Sequence, residues 1–165
     1  MKLLIAPWGN PFNWKEIRYR FETTTCTSKT SLCVLVKALK PERILILVAD
    51  SLVRSEKVKE TPGYEAIKEA VKEDIGEFLE KTCFSEDLSK VEICVLPGTG
   101  YFQNGSFEGR ILDYYYRLLY ELAKIASESE LSEIHLDLTH GLNFMPVLTY
   151  RAVKEILQVV SFFKS

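Results

Sequence analysis

Four short, mostly apolar runs constrain this chain more than anything else in it: Lys2–Ala6, Arg43–Ala49 (Arg-Ile-Leu-Ile-Leu-Val-Ala), Val91–Leu96 and Glu133–Leu138. A strand that is apolar along its whole length must be covered on both faces, which is the condition of a parallel sheet held between two helical layers. The segments between the runs supply such layers. Ser28–Leu39 sets Leu32, Leu35, Val36 and Leu39 on one stripe, and Gly63–Lys81 carries Ile67, Ala70, Val71, Ile75, Phe78 and Leu79. Arg110–Ala126 is expected to turn Leu112, Tyr116, Leu119, Leu122, Ala123 and Ala126 inward. Phe144–Phe163 is expected to do the same with Phe144, Val147, Leu148, Ala152, Ile156, Val159 and Val160. The order β-α-β-α-β-α-β-α predicts an α/β, Rossmann-like three-layer sandwich with a mainly parallel sheet of order 3-2-1-4, edge strands allowed, and right-handed crossovers. With 165 residues, 47% of them hydrophobic, the chain holds one core and therefore one domain.

Charge and composition narrow the function classes. A formal net charge of −2 argues against the basic stripe that long nucleic acid requires, so any nucleotide site is local. No stretch reaches the roughly 20 apolar residues of a membrane span, and the start, Met1-Lys2-Leu3-Leu4-Ile5-Ala6 into Pro7, reads as a first strand of a cytoplasmic protein. Cys26, Cys33, Cys83 and Cys94 form no C-x-x-C pair, and His135 and His140 complete no metal-ligand spacing, so four reduced thiols and no metal are expected. Glu and Lys dominate the charge while Asn and Gln are few, a pointer to a thermophile, in which some thiols oxidise.

In a sheet of order 3-2-1-4 ligands bind at the carboxyl ends of the first and fourth strands, where the direction of winding reverses. Trp8-Gly9-Asn10 follows the first, and Asp137-Leu138-Thr139-His140-Gly141-Leu142-Asn143-Phe144-Met145-Pro146 follows the fourth. In the second segment Gly141 is expected to permit a sharp turn, Asn143 to cap the next helix and Pro146 to sit in its first turn. Free N–H groups there, with the Thr139 hydroxyl and a His140 ring nitrogen, would cradle a phosphate; an ordinary capped strand-to-helix turn is the alternative. The run Thr23-Thr24-Thr25-Cys26-Thr27-Ser28-Lys29-Thr30-Ser31 should also face the crevice, but Lys29-Thr30 has no preceding glycines, and neither a P-loop nor G-x-G-x-x-G is present. Pro7–Ser28, Asp50–Pro62 and the glycine-rich Pro97–Gly109 read as long irregular stretches, and in the last of them Tyr101, Phe102 or Phe107 stacks on a base or packs a dimer partner. Asp137 and His140 lack a G-x-S-x-G nucleophile, so Ser-His-Asp hydrolysis is not expected.

The segment Asp137–Pro146 resembles the D-x-T-H-G-x-N-x-M-P signature of CRISPR-associated Rossmann-fold (CARF) domains of type III CRISPR systems. Leu4-Ile5-Ala6-Pro7-Trp8-Gly9-Asn10, Pro97-Gly98-Thr99-Gly100 and Asn104-Gly105 extend the resemblance over the whole chain, closest to the sensor half of ribonucleases that join a CARF to a HEPN domain. The resemblance implies a homodimer whose two-fold axis passes through the crevice and which binds one cyclic oligoadenylate, expected to be cyclic tetra-adenylate. The ligand residues it implies are Trp8, Gly9, Asn10, Thr27, Ser28, Gly98, Thr99, Thr139, His140, Gly141, Leu142, Asn143 and Met145. No cofactor, long nucleic acid or membrane is implied.

The chain departs from that family's pattern in stopping at Ser165, without the later strands of a complete CARF sheet and without the R-x-x-x-x-H motif of a HEPN effector. The expectation is a single CARF-like domain over 1–165, whether a fragment, a truncated product or a stand-alone sensor. Some stand-alone relatives are ring nucleases, which open cyclic tetra-adenylate without metal by aligning a ribose 2′-hydroxyl with the adjacent phosphate. Here Ser28, Lys29, Thr139 and His140 would carry that chemistry, His140 as general acid or base. An unrelated Rossmann-like nucleotide-binding or interaction module is the third reading.

Overall fold

The computed structural model describes residues 1–54, 56, 63–82 and 88–164. Eight strands and four α-helices succeed one another among them: β1 (Lys2–Pro7), β2 (Ile17–Phe21), β3 (Thr24–Ser28), α1 (Leu32–Leu39), β4 (Arg43–Ala49), α2 (Tyr64–Lys81), β5 (Val91–Leu96), β6 (Thr99–Phe102), β7 (Gly105–Glu108), α3 (Ile111–Glu128), β8 (Glu133–Leu136) and α4 (Met145–Lys164). The four apolar runs form one sheet, β5-β4-β1-β8, with every pairing parallel. In register Leu3 lies beside Arg43 and Ile134, and Ile46 beside Ile93. The predicted order 3-2-1-4 is therefore the observed one, with the reversal between β1 and β8.

Alternation along the strands splits the core in two. Leu4, Ala6, Ile44, Ile46 and Val48 face α1 and α2, meeting Leu32, Val71, Ile75 and Leu79. Leu3, Ile5, Leu45, Leu47 and Leu96 face the other way, onto Tyr114, Leu118, Leu122 and Ile125 of α3 and Ala152, Val153 and Ile156 of α4. The central strands β1 and β4 are covered on both sides, which is why they show continuous apolar runs, while the edge strand β8 packs Ile134 and Leu136 on one side only.

Several expectations are corrected. The stretches expected to be irregular, Pro7–Ser28 and Pro97–Gly109, each contain an antiparallel hairpin, β2–β3 and β6–β7. Because β3 runs to Ser28, α1 begins at Leu32 rather than at Ser28. Placing β3 against α1 brings the Cα atoms of Cys26 and Cys33 to 6.1 Å, and the two are joined as a disulfide instead of remaining free thiols. Cys94 is a buried thiol, its pKa pushed up to about 12 by burial; Cys83 and residues 55 and 57–62 of the Asp50–Pro62 stretch lie outside the described residues. On α3, Tyr114, Tyr115, Leu118 and Ile125 face the core, while Leu112, Tyr116 and Ala123 face out. On α4, Val147 and Val159 are exposed, and Met145, Thr149 and Val153 take the inner positions. Both helices carry apolar residues around more than one face, so periodicity alone does not select the buried one.

No described helix is long and apolar enough to cross a membrane. Among the described residues no group of three or more His, Cys, Asp or Glu is arranged to hold a metal ion.

Candidate functional site

A cavity of about 530 Å³ opens at the carboxyl ends of β1, β4 and β5. Trp8, Gly9 and Asn10 enter it from the end of β1, Gly98 and Thr99 from the β5–β6 junction, and Leu142, Asn143 and Met145 from the turn before α4. Eight of the residues implied by the family resemblance thus share one wall. Phe12, Arg54, Glu56, Phe102, Gln103 and Asn104 are among the further lining residues and are not in that set, although Phe102 is one of the rings expected to stack on a base or pack a dimer partner. Phe107, singled out with it, packs against the Phe102 ring at 5.8 Å, and Tyr101 points to solvent.

Each contributor is fixed from behind. Trp8 is 1% exposed, edge-on to Trp14 at 5.2 Å and to Phe78 at 5.9 Å, and its indole Nε1 has no hydrogen-bond partner among the described residues. Asn10 Oδ1 accepts the Phe12 N–H at 3.0 Å and so starts the short 3₁₀ turn Pro11–Asn13. At the end of β4, the buried Asp50 carboxylate accepts the Gly98 N–H at 2.8 Å. Burial pushes the Asp50 carboxyl up, against the opposing effect of hydrogen bonds from Gly98, Ser51 and Tyr64. The same contact, after burial, holds the Tyr64 phenol at about 12. Asn104 Nδ2 donates to the Ser51 and Val53 carbonyls at 2.9 and 2.5 Å, strapping the β6–β7 hairpin to the 50–54 segment.

The Asp137–Pro146 turn is built differently from its sequence expectation. Gly141 has no positive φ; it is needed because a Cβ would come within 2.6 Å of Pro146 Cγ. Asn143 is the residue in the left-handed region, at φ 53°, and it lines the cavity, while the first bond into α4 runs from Met145 N–H to the Leu142 carbonyl at 3.1 Å. Of the N–H groups expected to be free in this turn, that of Thr139 is engaged, donating to Asp137 Oδ1 at 3.1 Å, and the turn is tied to β1 by the Gly9 N–H, which donates to the His140 carbonyl at 2.9 Å.

Thr27, Ser28, Lys29, Thr139, His140 and Gly141 do not line the cavity. Ser28 is buried, donating to the Thr82 carbonyl at 3.2 Å and accepting the Thr30 N–H at 3.3 Å. Thr27 pairs with Arg18 in the β2–β3 hairpin, and the Lys29 carbonyl lies 3.5 Å from the Tyr19 hydroxyl. His140 stacks on Trp14 at 4.1 Å, and its Nε2 accepts the Ser31 N–H at 3.3 Å, with the Tyr19 hydroxyl at 3.2 Å. Accepting at Nε2 places the imidazole proton on Nδ1. Burial lowers the His140 pKa more than Asp137 raises it, so the ring is neutral at neutral pH. Ser31, Asp137 and His140 do meet, but Ser31 Oγ donates to Asp137 Oδ2 at 2.5 Å and not to the imidazole. No nucleophile–base bond exists in that trio, which instead ties the turn to the start of α1.

A parallel sheet of order 3-2-1-4 with this turn at its reversal point defines a ligand-sensing Rossmann-like domain of the CARF class. The family model of the CARF domain of the CRISPR system endoribonuclease Csx1 matches residues 3–165, and the chain belongs to that family, within type III CRISPR systems. It is 40% identical over 166 residues to the CRISPR system endoribonuclease Csx1 of Methanocaldococcus jannaschii, a match covering 97% of this chain and 34% of that protein. The chain thus spans about a third of the length of the curated relative it matches.

Proposed function

We propose that this chain binds cyclic oligoadenylate, with cyclic tetra-adenylate as ligand, and is the sensing domain of a type III CRISPR antiviral response in the cytoplasm. The observation that carries the reading is the cavity at the strand ends. It joins Trp8–Asn10, Gly98–Thr99 and the Leu142–Met145 turn in one wall that offers aromatic surface, amide groups and glycine-lined approach to a nucleotide. One ring held by two protomers, across a two-fold axis through the crevice, satisfies the symmetry of both. The ribonuclease activity in the relative's name belongs to a protein about three times as long, and the sensing role assigned here is the input to such an output.

Binding is favoured over metal-independent ring opening because the four residues suited to that chemistry do not line the cavity. Ser28 is buried in backbone contacts, His140 Nε2 is an acceptor for Ser31, and neither they nor Lys29 and Thr139 line the cavity. The test is to titrate the protein with labelled cyclic tetra-adenylate in EDTA and to chromatograph the recovered nucleotide. Saturable binding at one ring per two protomers with the ring intact is expected. Conversion to linear product would replace this reading with that of a ring nuclease, and absence of binding would overturn both.

A further inference from the structure

Among the cavity's lining residues one side chain is basic, Arg54, and one acidic, Glu56. Arg54 follows the 3₁₀ turn Asp50–Leu52 at the end of β4, and nothing in its local sequence marks it out. The structure does. Its Nε stands 3.6 Å from Oδ2 of Asp74, a residue of α2 whose side chain is only 2% exposed, while the Arg54 side chain is itself 49% exposed. Its guanidinium carbon lies 4.9 Å over the Phe12 ring, a second member of the same wall. An arginine is among the most mobile of side chains, and a guanidinium paired at 3.6 Å with a buried carboxylate and lying over an aromatic ring has given up part of that freedom before any ligand arrives. The Nη atoms carry four further N–H donors in the plane that matches phosphate oxygens.

We propose that Arg54 is the anion-reading residue of this cavity: a phosphodiester oxygen of the bound oligoadenylate accepts from its Nη donors, while Asp74 and Phe12 hold the fork in position. The assignment rests on the nucleotide reading of the cavity given above. It answers an electrostatic requirement of that reading, since the ring carries one negative charge per phosphodiester and the chain's own net charge is −2. Glu56 in the same wall repels such a ligand, which makes a fixed cation beside it the more necessary.

The experiment compares the parent chain with Arg54→Gln and Arg54→Lys, each checked by circular dichroism melting, using two sets of probes. The first is cyclic tetra-adenylate titrated over a range of salt concentrations; the second is adenosine 5′-monophosphate against uncharged adenosine. Arg54→Gln is expected to weaken ring binding about tenfold or more and to flatten the dependence of log Kd on log salt concentration. Arg54→Lys should keep the salt dependence and part of the affinity, and it carries the test if the glutamine variant fails to fold. The parent should prefer the monophosphate to adenosine, and the glutamine variant should not. Ring binding by Arg54→Gln within twofold of the parent, at an unchanged salt dependence, overturns the assignment. A parent that ignores the ring yet prefers the monophosphate through Arg54 retains the anion site and overturns the oligoadenylate reading; a parent blind to all probes overturns both.

Discussion

Gly98 is a residue at which the cavity wall leaves no room for a side chain. A Cβ there would stand 2.8 Å from Asp50 Oδ1 and 3.1 Å from Ser51 Oγ, on the path of the hydrogen bond that fixes the start of the β6–β7 hairpin. Gly98→Ala is expected to cost about 1–3 kcal/mol of stability and to weaken ligand binding about tenfold, read by thermal melting and titration. His140 yields a prediction of different form. Its folded-state pKa lies below the unfolded value, so the unfolded chain binds more protons in the interval between them, and stability rises with pH across that interval. Acidification from about pH 7 to about pH 5 should therefore lower the melting temperature more in the parent than in His140→Gln, and equal slopes would show that the ring is not the titrating group. The motif around His140 was legible as a site signature, but its division of labour was not. The sequence reading gave the sharp turn to Gly141 and a helix cap to Asn143. The structure gives Gly141 a steric role against Pro146 and Asn143 the left-handed backbone. Spacing identifies which residues cluster; which of them faces the cavity depends on Ser31, Tyr19 and Trp14, which arrive from distant sequence.

Elements separate by how strongly they must be covered. β1, β4 and β5 are readable because burial on both faces leaves an apolar run, β8 because Ile134, Leu136 and the motif after it stand out, and α1 and α2 because each has one apolar stripe. The hairpins were not. In β3 the sequence Thr-Thr-Cys-Thr-Ser has no apolar alternation; β2, Ile-Arg-Tyr-Arg-Phe, does alternate, but its apolar side chains are at most partly covered, and it stands beside turn-rich sequence and a partner strand with no pattern of its own. The α3 face was misassigned because Tyr114-Tyr115-Tyr116 offers three candidates, of which Tyr114, hydrogen-bonded to Thr149 at 2.8 Å, is the fully buried one. Two predictions belong to the hairpins. Asn104→Ala removes both donors that strap β6–β7 to the 50–54 segment, leaving the Ser51 and Val53 carbonyls short of a partner; a loss of about 1–3 kcal/mol and weaker binding are expected, with stability read by chemical denaturation. Reducing the Cys26–Cys33 disulfide, or replacing Cys33 by Ala, releases β3 from α1, and a loop closed over a sequence separation of 7 is worth about 2 kcal/mol in the chain-entropy account. A melting temperature unmoved by reductant would mean that the pairing contributes nothing to the fold.

At the scale of the whole molecule, apolar surface continues from the cavity mouth onto the helices. Leu142 is 53% exposed at the lip, and Val147 and Tyr150 of α4 follow it at 68% and 56%. In the dimer proposed above, a second copy of the chain would cover this surface and make it continuous with a shared ligand site. Val147→Glu is expected to shift the protein toward monomer in sedimentation velocity and to weaken ring binding in parallel. A dimer indifferent to that charge would place the two-fold axis elsewhere. The sheet order has one more consequence, in the time domain of synthesis. β1 sits in the middle of the sheet, and its partner β8 and the turn from Leu142 to Met145 that closes the cavity are made only after β4 and β5. A nascent chain can assemble β1, β4 and β5 on the ribosome before the last wall of the cavity exists. On the proposed reading, a chain interrupted between β5 and that turn would hold most of its sheet and yet be deaf to the ligand.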